Sequence, residues 1–222
     1  MLYVIVTGGP LPDEAASVIS KISGSAEDSV IISCDGGTDF LASHGIIPDM
    51  VVGDLDSITE NGLEYIRANN IFVEKYPVEK DATDTEIAIG KTGNDRTVLV
   101  CPVSGRIDHV LSNFQIVLKQ RSLGKNIVLT DGMTYCYPLT GEDRVEIDVS
   151  SYGENAAVSL VPWDFGCAVT GVTTEGLYYP LENASLSAGS SFSFSNHPAS
   201  KASKIGVSIR SGMLMVVVTN AN

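Results

Sequence analysis

The chain has 222 residues, of which 44% are hydrophobic and 18% charged, a composition typical of a globular protein with a substantial core. Its formal net charge of −13 argues against binding to nucleic acid or to an anionic membrane, because both would be repelled by the average field of the protein. An acidic protein that handles phosphates is expected to use metal ions as intermediaries.

Up to about residue 130, short apolar runs alternate with amphipathic segments, a rhythm that predicts strand–helix units. Strands are predicted at Leu2–Val6, Val30–Ser33, Met50–Val52, Ile71–Tyr76, Thr97–Cys101 and Ile127–Thr130. Helices are predicted where apolar residues recur at helical spacing, at Asp13–Ile22, Gly37–His44, Thr59–Asn69, Asp84–Lys91 and Asp108–Leu123. We therefore predict an α/β domain over residues 1–135, with an open, mostly parallel sheet and helices on both faces.

After Tyr135 the helical periodicity ends, and serine, threonine and glycine become frequent. Short apolar or alternating runs predict strands at Val145–Val149, Ala157–Val161, Ser191–Phe194, Ile205–Ile209 and Met213–Thr219. We predict an antiparallel β-sandwich domain over residues 140–222. The boundary is expected in residues 132–143, where Gly132 and Pro138-Leu139-Thr140-Gly141 supply turn chemistry.

Cysteine usage and the chain's apolar segments favour a cytoplasmic protein. The cysteines lie far apart in apolar stretches and follow neither a C-x-x-C nor a zinc-ligand spacing, so we expect buried, reduced thiols at Cys34, Cys101, Cys136 and Cys167. The first residues lack the basic region and the long apolar region of a signal peptide, and no segment approaches the length of a membrane span.

Acidic motifs follow the predicted strands, at the edge where open α/β sheets bind their ligands. The motifs are Cys34-Asp35-Gly36-Gly37, Pro48-Asp49, Gly53-Asp54-Leu55-Asp56-Ser57 and Lys80-Asp81-Ala82-Thr83-Asp84-Thr85-Glu86. Asp54 and Asp56 could point the same way in an extended loop, with Asp81 and Asp84 facing them. Carboxylates suit Mg²⁺ held between a protein and substrate phosphates. An aspartate before a helix can also be a simple cap, but several carboxylates in one crevice repel one another unless a cation neutralises them.

Glycine turns and one basic motif complement these carboxylates. Gly36-Gly37 and Thr7-Gly8-Gly9 suit close approach by a phosphate or ribose, although a tight turn explains the second equally well. In Ser104-Gly105-Arg106-Ile107-Asp108-His109, Arg106 and His109 could hold phosphate oxygens at a helix entrance. Alternatively, Arg106 pairs with a nearby aspartate and His109 is an ordinary helix residue. The sequence contains neither a G-x-x-x-x-G-K-[ST] loop nor a complete G-x-G-x-x-G, which argues against a P-loop enzyme and a dinucleotide oxidoreductase.

Taken in order, the motifs resemble those of the thiamine pyrophosphokinase (thiamine diphosphokinase) family. The matching elements are D-G-G at Asp35–Gly37, P-D at Pro48-Asp49, G-D-L-D-S at Gly53–Ser57, K-D-A-T-D-T-E at Lys80–Glu86, G-R-I-D-H at Gly105–His109, T-E-G-L-Y-Y-P-L at Thr174–Leu181 and S-N at Ser195-Asn196. The ordered set is far more specific than any single element.

The resemblance implies an α/β domain that handles ATP, a β-sandwich, and a homodimer with thiamine sites between subunits. It implies Mg²⁺ ligands at Asp54, Asp56 and Asp84. The catalytic residues are then expected to be Asp54, Asp56, Asp81, Asp84 and Arg106. Nucleotide contacts are expected at Asp35, Gly36, Gly37, Lys80, Asp108 and His109, and thiamine contacts at Thr174, Glu175, Gly176, Leu177, Ser195 and Asn196.

The activity implied is transfer of the pyrophosphoryl group of Mg-ATP to the hydroxyl of thiamine, giving thiamine diphosphate and AMP. Some family members carry a tryptophan near the C-terminus that stacks on thiamine, whereas this chain has Gly212-Met213-Leu214-Met215 there, so stacking would fall to Tyr178, Tyr179 or a methionine. Two alternatives remain: a pyrophosphokinase acting on another hydroxymethyl heterocycle such as a pterin, and a non-catalytic nucleotide sensor.

Overall fold

The computed structural model describes residues 1–26, 28–152 and 156–220. The chain divides into two compact units. The first contains Met1–Ile116 and Gly124–Met133, and the second contains Val117–Leu123 and Thr134–Asn222. Across the described residues, no helix has both the length and the hydrophobicity that crossing a bilayer requires.

Strands and helices alternate along the chain as far as residue 130. The elements are β1 (Leu2–Val6), α1 (Asp13–Ser25), β2 (Ser29–Cys34), α2 (Gly37–Ser43), β3 (Met50–Gly53), α3 (Glu60–Ala68), β4 (Phe72–Lys75), α4 (Asp84–Gly90), β5 (Arg96–Val100), α5 (Ile107–Ser122) and β6 (Ile127–Thr130). Side-chain caps fix the start of two helices, because Thr59 Oγ1 accepts the Gly62 N–H before α3 and Thr83 Oγ1 accepts the Glu86 N–H before α4.

The strands of the first unit form a parallel sheet in the order β4-β3-β2-β1-β5-β6. Strands β2, β3 and β4 are added in turn on one side of β1, and β5 and β6 lie on its other side. Strand order therefore reverses at β1, and the loops that leave β1, β2 and β5 diverge there. Open α/β sheets bind their ligands in the crevice that this reversal creates at the carboxyl ends of the strands.

This sheet is buried on both faces, as expected for parallel strands. Successive strand residues point to opposite faces, so Val4 and Ile5 lie on different sides, and both are fully buried. On the Val4 side, one hydrophobic cluster includes Ala15 and Ile19 of α1 and Leu41 of α2. Helix α4 packs against β1, β2 and β3, and its buried residues are not members of that cluster.

The second unit contains two antiparallel sheets. Its strands are β7 (Thr134–Thr140), β8 (Asp143–Asp148), β9 (Ala156–Pro162), β10 (Val169–Glu175), β11 (Ala184–Leu186), β12 (Lys204–Ile209) and β13 (Met213–Asn220). Strand β13 pairs with β7 and β9, and the other sheet has the order β11-β10-β12-β8. Leu160 and Val216 from the first of these sheets join Val172, Ile205 and Val207 from the second in one buried cluster, which is the core of a β-sandwich.

The fold class predicted from the sequence is confirmed, while several details differ. The strand predicted at Ser191–Phe194 is wrong, because the Phe194 N–H donates to the Ser191 carbonyl and closes a turn. A core strand here would bury the phenylalanines and expose the serine between them. The structure shows the reverse, because Ser193 is buried and Phe192 and Phe194 are exposed. Cys167 is also exposed, contrary to expectation, whereas the other three cysteines are buried, and none of the four forms a disulfide.

Strands β7, β10 and β11 were not predicted. In β7, Pro138 was interpreted as a turn residue, yet it pairs in register with Met215 of β13. In β10, Gly171 has a φ of +66° and lies where the register with β11 shifts between Val169 and Val172, so the bulge breaks the simple alternation.

Candidate active site

A cavity of about 750 Å³ lies in the first unit, at the reversal of strand order. The loop after β1 contributes Thr7, Gly8 and Gly9, while the loops after β2 and β5 contribute Asp35, Ser104 and Arg106 among others. The N-terminal end of α4 adds Thr83 and Asp84. The volume is within the range of pockets that enclose small molecules.

The loop after β2 is shaped to hold Asp35 against the end of β3. Asp35 has a φ of +40°, a left-handed conformation that aspartate tolerates better than most residues, and its Oδ1 accepts the Leu55 N–H at 3.0 Å. Gly53 has a φ of +149°, and a β-carbon there would collide with the Asp35 carboxylate. The glycine of the G-D-L-D-S motif is therefore required for the close approach of these two loops.

Three carboxylates converge beside the cavity. Oxygen atoms of Asp35, Asp54 and Asp84 all lie within 4.8 Å of one another. These residues come from the ends of β2 and β3 and from the start of α4, so strand order and a helix cap bring together positions that are far apart in the sequence. We call this group the carboxylate triad.

Lys80 contacts two members of the triad, Asp54 and Asp84. Its Nζ donates to Asp54 Oδ2 at 3.1 Å and lies 3.2 Å from Asp84 Oδ1. The three side chains are largely withdrawn from solvent, with exposed fractions of 15% for Lys80, 8% for Asp54 and 19% for Asp84. Asp84 Oδ1 is buried; across the residues that the structure describes, its contact with Lys80 is an ion pair without hydrogen-bond geometry, and it accepts no other hydrogen bond.

Burial and neighbouring charges shift the pKa values of the site residues in different directions. Burial raises the pKa of Asp35 to about 7; the Leu55 N–H opposes this rise, and the charges of Asp84 and Asp54 add to it. The pKa of Asp54 is lowered, because its carboxylate accepts the Asp56 N–H and the Lys80 ammonium. For Lys80, burial acts to lower the pKa, but the interactions with Asp54 and Asp84 outweigh it and the pKa rises.

The donor set of the triad fits Mg²⁺. Magnesium prefers carboxylate oxygens and is usually held by one or two of them together with phosphate oxygens and water. The buried Asp84 Oδ1 makes no hydrogen bond within the described residues and is balanced by the Lys80 ammonium, so it is the kind of acceptor that a cation satisfies. A divalent ion would add positive charge that the single charge of Lys80 does not supply to three carboxylates.

Two of the predicted acidic residues lie outside the triad. Asp56, expected as a metal ligand, is exposed; its N–H donates to Asp54 Oδ1 at 3.1 Å, and the charge of Asp54 raises the Asp56 pKa. Asp81, expected as a catalytic residue, is exposed and does not line the cavity. Conversely, Asp35 was expected only as a nucleotide contact, and the structure places its carboxylate in the triad.

Most of the predicted nucleotide contacts line the cavity. Gly36, Asp108 and His109 do so, together with Arg106. The Arg106 guanidinium pairs with Asp108, with Nε at 3.2 Å from Oδ1 and Nη2 at 2.5 Å from Oδ2, so the pairing considered from the sequence is present. Gly37 is buried at the start of α2, where a β-carbon would collide with the carbonyl of Val6.

Asp39 was not predicted, and it lines the same cavity. Its carboxylate accepts both the N–H and the hydroxyl of Thr59, the residue that caps α3. Asp39 thereby fixes the end of the loop that begins at Asp54. In the sequence it is indistinguishable from an acidic residue in the first turn of a helix, which stabilises many helices without any further role.

The predicted thiamine contacts lie together in the second unit. Leu177 pairs with Pro198, and the Asn196 side chain binds the backbone of Tyr179 through Oδ1 and Nδ2 at 3.1 and 2.8 Å. The segments that contain Thr174, Glu175, Gly176 and Leu177 and that contain Ser195 and Asn196 are therefore neighbours.

Some of the predicted thiamine contacts are buried and others are exposed. Thr174 is buried and its hydroxyl accepts the Leu181 N–H, which assigns it a structural contact, whereas Glu175 is exposed and pairs with Arg144 at 3.5 Å. Tyr178 is 57% exposed and its ring stacks on His197 with centroids 4.6 Å apart. Tyr179 is exposed as well, so aromatic faces are available at this surface.

Comparisons with known proteins agree across both units. The model of the thiamin pyrophosphokinase catalytic domain matches residues 25–129, and that of the thiamin pyrophosphokinase vitamin B1 binding domain matches residues 144–214. Thiamine pyrophosphokinase of Bacillus subtilis (strain 168) is 31% identical over 198 residues, which cover 86% of this chain and 87% of the relative.

Solved structures show the same likeness. The crystal structure of thiamine pyrophosphokinase from Bacillus subtilis superposes with a TM-score of 0.82 at 27% identity, covering 100% of both chains. That of thiamin pyrophosphokinase from Geobacillus thermodenitrificans gives a TM-score of 0.78 at 29% identity, covering 99% of this chain and 97% of the other.

The raised pKa of Asp35 predicts a pH dependence of stability in metal-free protein. The folded state keeps the Asp35 proton up to about pH 7 and the unfolded state releases it near pH 4, so the free energy of unfolding falls as pH rises through this window. Asp35→Asn keeps the acceptor for Leu55 and removes the charge. We expect it to raise the unfolding free energy at about pH 8, by about 1–2 kcal/mol because solvent screens a half-buried carboxylate, with no gain near pH 4.

Urea unfolding in EDTA across this pH range measures the effect, and Asp28→Asn, which removes an exposed charge in the same unit, is the control. A gain for Asp35→Asn that is the same at both ends of the range would contradict the assignment.

Proposed function

The chain belongs to the thiamine pyrophosphokinase family, and from that premise we propose that it transfers the pyrophosphoryl group of Mg-ATP to the hydroxyl of thiamine, releasing AMP. The observation that carries this proposal is the convergence of Asp35, Asp54 and Asp84 beside a cavity of nucleotide size. The match to a vitamin B1 binding domain favours thiamine over a pterin as the acceptor.

The proposed Mg²⁺ ligands are Asp54 and Asp84 of the triad, together with Asp56, the third ligand expected from the sequence. Asp35 lies beside Asp54 and Asp84 in the triad. Mg²⁺ bound there would neutralise negative charge on the phosphates of ATP. Support comes from the triad, since oxygens of Asp35, Asp54 and Asp84 lie within 4.8 Å of one another and the buried Asp84 Oδ1 already lies 3.2 Å from a cationic group.

The walls of the cavity are proposed to bind ATP. Gly8 and Gly36 offer backbone without side chains for close approach by the phosphates or ribose, and Arg106 offers a guanidinium that can bind phosphate oxygens in a fork. Asp108 orients that guanidinium through the paired contact. Positive charge from Arg106 and Lys80 would then balance the phosphates in a chain that is acidic on average.

Activation of the acceptor hydroxyl is proposed for Asp84. The expectation from sequence left Asp81 and Asp84 as alternatives, and Asp84 lines the cavity whereas Asp81 does not. A carboxylate in this position can orient the hydroxyl and accept its proton as the oxygen attacks the β-phosphorus of ATP. The protein's contribution is then mainly positioning and charge balance, and no covalent intermediate is required.

The thiamine site is proposed at the surface that Glu175, Gly176, Tyr178, Tyr179 and Asn196 form. Tyr178 and Tyr179 are exposed and can stack on the pyrimidine ring, replacing the tryptophan that this chain lacks near its C-terminus. The family resemblance implies such sites between two subunits, so a homodimer belongs to the proposal.

ATP labelled at the β-phosphorus tests the reaction itself. With thiamine and Mg²⁺, we expect the label to appear in thiamine diphosphate and AMP to be released in equal amount, because the β and γ phosphates move as one unit. Chromatographic separation of the products provides the measurement. Label retained in ADP would refute the pyrophosphoryl transfer, and binding of ATP without any product would leave the non-catalytic sensor.

Asn substitutions test the acidic ligands. Asp54→Asn and Asp56→Asn are each expected to lower kcat by about a hundredfold or more with the fold retained, because an amide has nearly the same shape but cannot neutralise Mg²⁺. AMP release at saturating Mg²⁺ measures kcat, circular dichroism checks the fold, and Asp28→Asn is the control. Near-normal activity of either variant would remove that residue from the ligand set.

Light scattering at micromolar concentration tests the homodimer. The chain has a mass of 23.5 kDa, and we expect twice this mass because closed two-fold pairing is the commonest assembly and the thiamine site would be shared. A monomeric mass together with full activity would refute this part of the proposal.

A further inference from the structure

Lys80 contacts the carboxylates of Asp54 and Asp84, which are also the proposed ligands of a metal ion. Its ammonium donates to Asp54 Oδ2 and to the Pro77 carbonyl, each at 3.1 Å, and lies 3.2 Å from Asp84 Oδ1. An ammonium group has three donors, and here it faces three oxygens. The side chain is only 15% exposed, so this arrangement is a built contact rather than a chance meeting of surface charges.

The same carboxylates cannot serve the ammonium and a divalent ion equally well. A cation held by Asp54 and Asp84 would lie within a few ångströms of the Lys80 ammonium, where two positive charges repel each other strongly. Lys80 is free to withdraw because it lies on the connection between β4 and α4 and has a long, flexible side chain. Its remaining partner, Pro77, belongs to that same connection.

We propose that Lys80 is the internal counter-ion of the metal-free site and is exchanged for Mg²⁺ when the substrate nucleotide loads. The ammonium holds Asp54 and Asp84 side by side against their mutual repulsion, which makes Lys80 a positioning residue for the triad. This inference rests on the proposed role of Asp54 and Asp84 as metal ligands.

The exchange has a consequence for the order of binding. Mg²⁺ alone must displace the ammonium from its contacts with Asp54 and Asp84 and brings no new anion for it. Mg-ATP brings phosphates that offer the displaced ammonium a new anionic partner. The nucleotide-free protein therefore binds Mg²⁺ weakly, and the phosphates of the substrate make metal loading favourable.

Calorimetric titration with MgCl₂ in the absence of nucleotide tests this role. Lys80→Gln keeps a hydrogen-bond donor and removes the charge, and Lys80→Met removes both. We expect both variants to bind Mg²⁺ about tenfold or more tightly than the unmodified protein, because even a water-like dielectric gives that much relief of charge repulsion at this distance. Lys80→Arg, which keeps the charge, is expected to retain weak binding.

Thermal unfolding gives a second, independent readout. In EDTA, Lys80→Gln is expected to unfold at a lower temperature than the unmodified protein, since Asp54 and Asp84 lose their counter-ion. Addition of Mg²⁺ should then raise its unfolding temperature by more than it raises that of the unmodified protein.

Lys91→Met is the matched control. It removes one positive charge from the same unit, but Lys91 pairs with Glu74 at 2.6 Å, and within the described residues no contact joins it to Asp54 or Asp84. Its Mg²⁺ affinity should stay within about twofold of the unmodified protein. Equal or weaker Mg²⁺ binding by the Lys80 variants, no binding by any variant, or the same gain for Lys91→Met would overturn the exchange. AMP release by the unmodified protein tests the proposed activity separately.

Discussion

Repulsion among partly buried carboxylates is the constraint on which this structure's site depends. Asp35, Asp54 and Asp84 are withdrawn from water and their oxygens lie within 4.8 Å of one another, an arrangement that is unfavourable unless positive charge or protons enter it. Lys80 supplies one positive charge and contacts two of these three carboxylates. A site with more carboxylates than positive charges is suited to a divalent cation and its anionic ligand.

The parallel sheet creates this constraint by its strand order. Because the chain returns to β5 beside β1, the loops after β1, β2 and β5 leave a crevice between them. The neighbouring strand β3 contributes Asp54, and α4 begins at Asp84 directly after the Thr83 cap. The Leu55 N–H donates to Asp35 and the Thr59 N–H donates to Asp39, and these hydrogen bonds fix the loop after β3 at both ends. The loops are therefore positioned by the same contacts that bring their carboxylates together.

The sequence allowed the sheet, the helices and the acidic motifs to be predicted because each has a local signal. Alternating apolar runs identified the strands of the first unit, and the position of an aspartate after a strand identified Asp35 and Asp54. No local signal in the sequence shows which carboxylates come together, because that depends on strand order and on the left-handed turn at Asp35. Asp39 was missed for the same reason. In the second unit, an internal proline in β7 and a bulged glycine in β10 concealed two strands.

A crystal structure with Mg²⁺, thiamine and a non-hydrolysable ATP analogue tests directly whether Mg²⁺ replaces Lys80 at the carboxylate triad. We expect a metal ion bound to Asp54 and Asp84, phosphates in the cavity beside Gly36 and Arg106, and the Lys80 ammonium moved from the carboxylates to a phosphate oxygen. A metal ion held by phosphates alone, with Lys80 still paired to Asp54 and Asp84, would contradict this expectation.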